Sequence, residues 1–181
     1  MPDTEFTRIG KRLVAEGLVS GKFGNMSTRK DGGFSITARG TFVDEPHDPV
    51  FVPDTGPVPP EASSEYRVHR ETYRQTHYRA IVHAHPPFAI AASFHHDTII
   101  PDTCEAAIMC PVIPVVEGEA GSETLARAVA GAIRQSPVVI ARGHGTYAAG
   151  STLKEAYIRT SSAEHACRIL LYRGLFGGLI R

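Results

Sequence analysis

Cysteine, net charge and long apolar runs are all scarce in this chain, and each scarcity closes off a class of function. Cysteine occurs three times, at Cys104, Cys110 and Cys167. An odd, small number gives no disulfide framework and fits a reducing compartment. Nineteen Lys and Arg balance nineteen Asp and Glu, so the formal net charge is zero. Without a basic block there is no electrostatic footprint for nucleic acid. No apolar run approaches the ~20 residues that span a bilayer. The opening stretch MPDTEFTRIGKRL has no apolar signal core. No internal repeat, linker or low-complexity tract stands out. The expectation is a cytoplasmic protein with neither nucleic-acid nor membrane partners. What is present is a 181-residue chain, 42% hydrophobic and 21% charged. That composition belongs to an ordinary globular protein with its own core, read as a single domain over residues 1–181. Nine histidines invite a search for a metal site.

Hydrophobic spacing places the elements. Phe6, Ile9, Leu13 and Leu18 predict a helix over about 4–16. The glycine-rich stretch 21–33 reads as a loop, and Phe34 to Thr37 as a short strand. Residues 44–62 hold six prolines, with one strand at Val50 to Val52. Ser63 or Ser64 reads as the N-cap of a helix over about 65–76. Ala80 to His83 is a strand stopped by Pro86-Pro87, and a short helix follows to Phe94. Val112 to Val116 predicts a strand. Gly121-Ser122 predicts a cap for a helix carrying Leu125, Val129 and Ile133. Val138 to Ala141 is a buried strand, Gly143-His144-Gly145 a tight turn, and Thr146 to Ala149 a returning strand. A last helix covers about 153–175. Five helices mixed with six or more strands make an α/β layered domain.

The sharpest chemical signal is His83-Ala84-His85. Residues i and i+2 of a strand face the same way, so two imidazoles can share one ion. Alone, the pair is equally two surface histidines leaving a strand. His144 sits directly after another apolar strand, between two glycines. Two neighbouring strands ending in histidine would gather three imidazoles, the pattern of a catalytic zinc with an open position. His69 lies four residues after Glu65 on one helix, placed either to orient the site or to pack beneath it. His95-His96-Asp97 lies at a helix end and reads as solvated. Cys104 and Cys110 are six apart, which is not a metal knuckle.

Three donor-rich turns are candidate anion cradles. Ser63-Ser64-Glu65 opens a helix, where free N–H groups favour an anion; the same residues serve equally as a cap. Gly24-Asn25-Met26-Ser27 and Thr37-Ala38-Arg39-Gly40 expose backbone and hydroxyl donors, with Lys22, Arg29 and Arg39 nearby. Taken with the histidines, these turns suggest a phosphorylated small molecule held near a metal.

In chain order, Gly24-Asn25-Met26-Ser27, Ile36-Thr37-Ala38-Arg39-Gly40, Ser63-Ser64-Glu65, His83-Ala84-His85 and Gly143-His144-Gly145 resemble the class II aldolase/adducin family over about residues 4–172, and within it the short archaeal-type sugar-phosphate aldolases. The resemblance implies a three-layer α/β/α sandwich around a mixed, mostly antiparallel central sheet. It implies a homotetramer with active sites between subunits, and one Zn2+ per subunit held by His83, His85 and His144. Glu65 would be a zinc ligand at rest and the proton-shuttling base in turnover; an Asp there is typical of the epimerase relatives. The substrate phosphate would rest on Asn25, Thr37, Gly40, Ser63 and Ser64, with Gly24 and Ser27 shaping the first loop. The implied reaction is reversible cleavage of an L-fuculose 1-phosphate-like ketose 1-phosphate to dihydroxyacetone phosphate and a small aldehyde such as lactaldehyde. Epimerases, dehydratases and a metal-free adducin-like interaction module share the scaffold. The last of these would carry broken ligands, whereas Glu65 and all three histidines stand here. The chain departs from the family pattern at Arg39, where a small polar residue is usual. It also lacks a Tyr in residues 102–107 and ends soon after its last helix. Glu105, Tyr147 or a water are the stand-ins for the missing proton donor.

Overall fold

The computed structural model describes residues 4–179; residues 1–3 and 180–181, and with them the start of the region read for a signal core, lie outside the described residues. The order is α1 (Thr4–Ala15), β1 (Asn25–Lys30), β2 (Gly33–Ile36), β3 (Val50–Pro53), α2 (Tyr66–Gln75), β4 (Ala80–Ala84), α3 (Pro87–Ser93), β5 (Thr98–Ile99), α4 (Cys104–Met109), β6 (Ile113–Val116), α5 (Glu123–Ile133), β7 (Val138–Ala141), β8 (Gly145–Gly150) and α6 (Leu153–Leu179). The strands form one sheet in the order β3-β2-β1-β4-β8-β7-β6-β5. Among the described residues only β6 and β7 run parallel; every other neighbouring pair is antiparallel. Proline sits on the edge strand β3, where a missing N–H does no harm.

Period-two alternation sorts the side chains between two helical layers. On one face, Phe34, Ile36, Val52, Ile81 and Val139 pack against Val68 and Tyr73 of α2 and Leu125, Val129 and Ile133 of α5. On the other, Met26, Val82 and Ala84 meet α1 and the start of α6. Ile113, Val138, Ile140 and Ala148 meet α3, α4 and the middle of α6. Alanines at 156, 163 and 166 let α6 lie close to the sheet. The result is the expected three-layer sandwich with a mixed, mostly antiparallel sheet. Among the described residues no helix is long and apolar enough to cross a membrane.

Two expectations need correction. The stretch read as a loop over 21–33 contains β1, whose polar sequence NMSTRK hides its nature. Pairing on both sides, with β2 and β4, overrides local propensity there. Ser63 and Ser64 do not cap α2: the N-cap position is Glu65, and no side chain caps it. The cap predicted for α5 is present, with Ser122 Oγ accepting from the Leu125 N–H at 3.0 Å. The short elements β5 and α4 carry no periodic signal long enough to read.

The sheet brings one set of ends together. β4 and β7 flank β8 and run antiparallel to it, so both finish where β8 begins. β1 starts at that same end, with Asn25 opposite His83.

Candidate active site

His83 points from β4 to the α2/α5 side. Its Nδ1–H donates to the Thr146 carbonyl at 2.9 Å. That bond fixes the ring and leaves the Nε2 lone pair available to coordinate an ion. His85 lies one residue past β4, its backbone N–H held by the Leu18 carbonyl at 2.8 Å. Its Nε2 is 3.0 Å from that of His83, and the Phe23 ring stacks on it at 5.7 Å. His144 is carried by the turn between β7 and β8. Arg142 anchors this turn to Glu117 at 2.9 Å and Asp97 at 2.5 Å, and the Gly143 N–H reaches Ser93 Oγ at 3.0 Å. Gly143 has φ +66°, a conformation that L side chains resist. Gly145 is needed for close approach: a Cβ there would lie 2.2 Å from the Ala84 carbonyl oxygen.

Ligand atoms of His83, His85 and His144 all fall within 4.8 Å of one another. Burial, then the neighbouring imidazoles, hold His83 well below its ordinary pKa, and burial brings His85 down to about 4. Both therefore stay neutral at physiological pH, as ligands must. His144 Nδ1 is buried with no hydrogen-bond partner among the described residues. Three imidazoles, one oriented by a carbonyl, fit a borderline divalent ion that keeps positions open for substrate.

Glu65 is buried, and its Oε2 accepts a 2.7 Å hydrogen bond from the Tyr147 hydroxyl. The carboxylate is outside the three-histidine group but lines the same cavity, of about 240 Å³. Gly24, Asn25, Gly40, Ser63 and Ser64 line it too, together with Lys22, Arg39 and Thr41. Asn25 Oδ1 is buried without a partner among the described residues. The Arg39 N–H donates to the Glu61 carbonyl at 2.7 Å, tying the second turn to the segment that carries the serines.

Two of the expected phosphate residues are elsewhere. Ser27 sits opposite Ile81, two residues deeper in the sheet than Asn25, and is fully buried. Its Oγ lies 2.6 Å from His69 Nδ1 and 2.7 Å from the Tyr73 hydroxyl. Thr37 is also buried, its Oγ1 accepting from the Met26 N–H at 3.2 Å. Neither lines the cavity. Glu105 lines a different pocket, with Ser161 and His165. Phe23 and Thr41 were missed because neither forms part of a spaced motif.

His69 packs beneath the site. Burial brings its pKa down to about 3 from the ordinary 6.5. As pH falls the unfolded chain takes the proton first, so stability that is complete above about pH 6.5 drains away toward pH 3. His69→Gln is expected to lose about 3 kcal/mol less than the parent between pH 7 and pH 4.5, measured by urea unfolding at both values.

The family described as Class II Aldolase and Adducin N-terminal domain matches residues 4–171. The chain is 33% identical over 171 residues to an L-fuculose phosphate aldolase of Methanococcus vannielii, covering 91% of this chain and 93% of that one. It is 32% identical over 156 residues to a 5-methylthioribulose-1-phosphate/5-deoxyribulose-1-phosphate aldolase of Escherichia coli, covering 80% and 71%. The crystal structure of l-fuculose-1-phosphate aldolase from Thermus thermophilus superposes with a TM-score of 0.94 at 39% identity, over 96% of this chain and 94% of that one. By sequence and by fold alike, this chain belongs to the class II aldolase/adducin family, and it is a lyase.

Proposed function

We propose that this lyase is a zinc-dependent aldolase that reversibly cleaves a ketose 1-phosphate of the L-fuculose 1-phosphate type. The products are dihydroxyacetone phosphate and a small aldehyde such as lactaldehyde. The observation that carries this reading is the meeting of His83, His85, His144 and Glu65 on one cavity whose remaining walls are rich in anion donors.

Breaking a C–C bond beside a carbonyl leaves an electron pair that needs a sink. His83, His85 and His144 would hold a zinc ion, which would supply Lewis acidity to stabilise that charge. In cleavage the hydroxyl of the carbon that becomes the aldehyde gives up its proton as the C–C bond breaks, and Glu65 delivers a proton to the carbon that keeps the electron pair; condensation reverses both transfers. Asn25, Ser63 and Ser64 offer hydrogen-bond donors to the phosphate, Gly24 and Gly40 open the backbone around it, and Lys22 and Arg39 balance its charge. Binding energy from this remote group orients the reacting carbons. As a lyase of this kind the chain would act as one domain in a cytoplasmic homotetramer whose active sites lie between subunits.

The test is direct. Purified protein should carry about one zinc per chain, held by the three imidazoles with a position left open for substrate. Dihydroxyacetone phosphate and lactaldehyde should condense to a ketose 1-phosphate visible by NMR. Zinc-replete protein that neither cleaves nor condenses any ketose 1-phosphate overturns the reading. An epimerised or dehydrated sugar phosphate as product replaces it with the corresponding activity on the same scaffold.

A further inference from the structure

Tyr147 is fully buried, yet its hydroxyl donates to the one carboxylate that lines the cavity among the described residues. The register places it opposite His83 on one side and Val139 on the other. Its ring lies nearly parallel to that of His83, with centroids 4.2 Å apart and an interplanar angle of 14°. Held by two strands and a stacked imidazole, the phenol oxygen is a fixed point. Glu65 reaches it on an unbranched side chain from the N-cap position of α2. Its backbone carbonyl takes the Val68 N–H at 3.0 Å, so α2 engages its main chain and leaves its carboxylate to other partners. Among the described residues, Tyr147 is the only hydrogen-bond donor to that carboxylate.

The carboxylate is seated on the phenol, and the three histidines that could hold an ion line the same cavity. A carboxylate bound to a divalent ion is held in its ionised form by the cation's charge and is a poor base. A hydrogen bond to a neutral phenol leaves the second oxygen, Oε1, free to take a proton. We propose that Tyr147 is a positioning residue that holds Glu65 off the metal and in the proton-transfer seat. Its effect on turnover rests on the aldolase reading above; its competition with the metal for Glu65 needs no substrate.

Tyr147→Phe keeps the ring and removes the donor. Zinc affinity, measured by competition with a chelator, should rise about tenfold as the carboxylate is released to the ion, the scale of one hydrogen bond to a charged group. With dihydroxyacetone phosphate and lactaldehyde, kcat should fall about 10–100-fold while KM stays within about twofold. In a Glu65→Gln background the same substitution should leave zinc affinity unchanged, because there is no carboxylate to release. Equal zinc affinity in Tyr147→Phe and parent overturns the proposal, as does an equal rise in the Glu65→Gln background. A second comparison does not depend on that variant folding. Glu65→Gln alone should weaken zinc less than about tenfold, since the phenol already competes for the carboxylate; a loss beyond about a hundredfold marks a full ligand and overturns the proposal. If the protein is not an aldolase, the kinetic arm is silent while the zinc arms still decide.

Discussion

Replacing His144 with alanine should empty the protein of metal and abolish its lyase activity while leaving the fold intact. His83 and His85 would then be a two-nitrogen site, too few ligands for a zinc that survives dialysis. Bound zinc should drop from about one per chain to below about a tenth, and activity by about a thousandfold or more, since the electrophile that accepts the developing charge is gone. The fold should persist because the turn does not depend on the imidazole. Arg142 holds it to Asp97 and Glu117, and the Gly143 N–H holds it to Ser93. Elemental analysis after dialysis, beside a thermal melt of metal-free parent and variant, checks both halves. Metal retained at parity would remove His144 from the ligand set.

Glu65→Gln should separate metal binding from proton transfer. The amide oxygen can still accept from the Tyr147 hydroxyl, so the side chain keeps its place. The amide cannot carry a proton, and turnover should fall by about 10²–10⁴-fold, the usual worth of a positioned general base. The loss should appear equally in exchange of the dihydroxyacetone phosphate C–H hydrogen with solvent, followed by NMR without any aldehyde. That partial reaction isolates the step assigned to this carboxylate. Exchange at the parental rate would assign the proton to another group. Losing a negative charge at the α2 N-terminus should cost only about 0.3–1 kcal/mol of stability.

The histidines were legible because strand geometry is periodic. His83 and His85 share a face by the rule of two, and His144 betrays itself by following an apolar strand between glycines. The buried strands β4 and β7 read equally well, as short apolar runs bounded by Pro and Gly. The first cradle was harder. As a turn, Gly24 to Ser27 would present every donor to solvent. As strand β1, it advances about 3.3 Å per residue into the sheet. Asn25 stays at the rim while Ser27 is drawn under α2 to meet His69 and Tyr73. Thr37 is likewise turned inward by its bond to Met26. The link between Tyr147 and Glu65 has no signature at all. It joins residues 82 apart through a cross-layer contact that only the register of β4 and β8 creates.

α3 has a consequence beyond its seven residues. At its start, the Glu164 carboxylate of α6 accepts from the Phe88 and Ala89 N–H groups at 3.0 and 2.8 Å. At its end, Ser93 takes the Gly143 N–H, one residue before the third imidazole. It is a strut from the long helix to the ligand turn, while Glu65 hangs from the helical layer on the opposite side of the sheet. No fragment of the chain can assemble the ion's surroundings by itself. An ion that bound only the fully docked molecule would lower the free energy of that state alone, so a metal on these histidines would clamp the whole sandwich together.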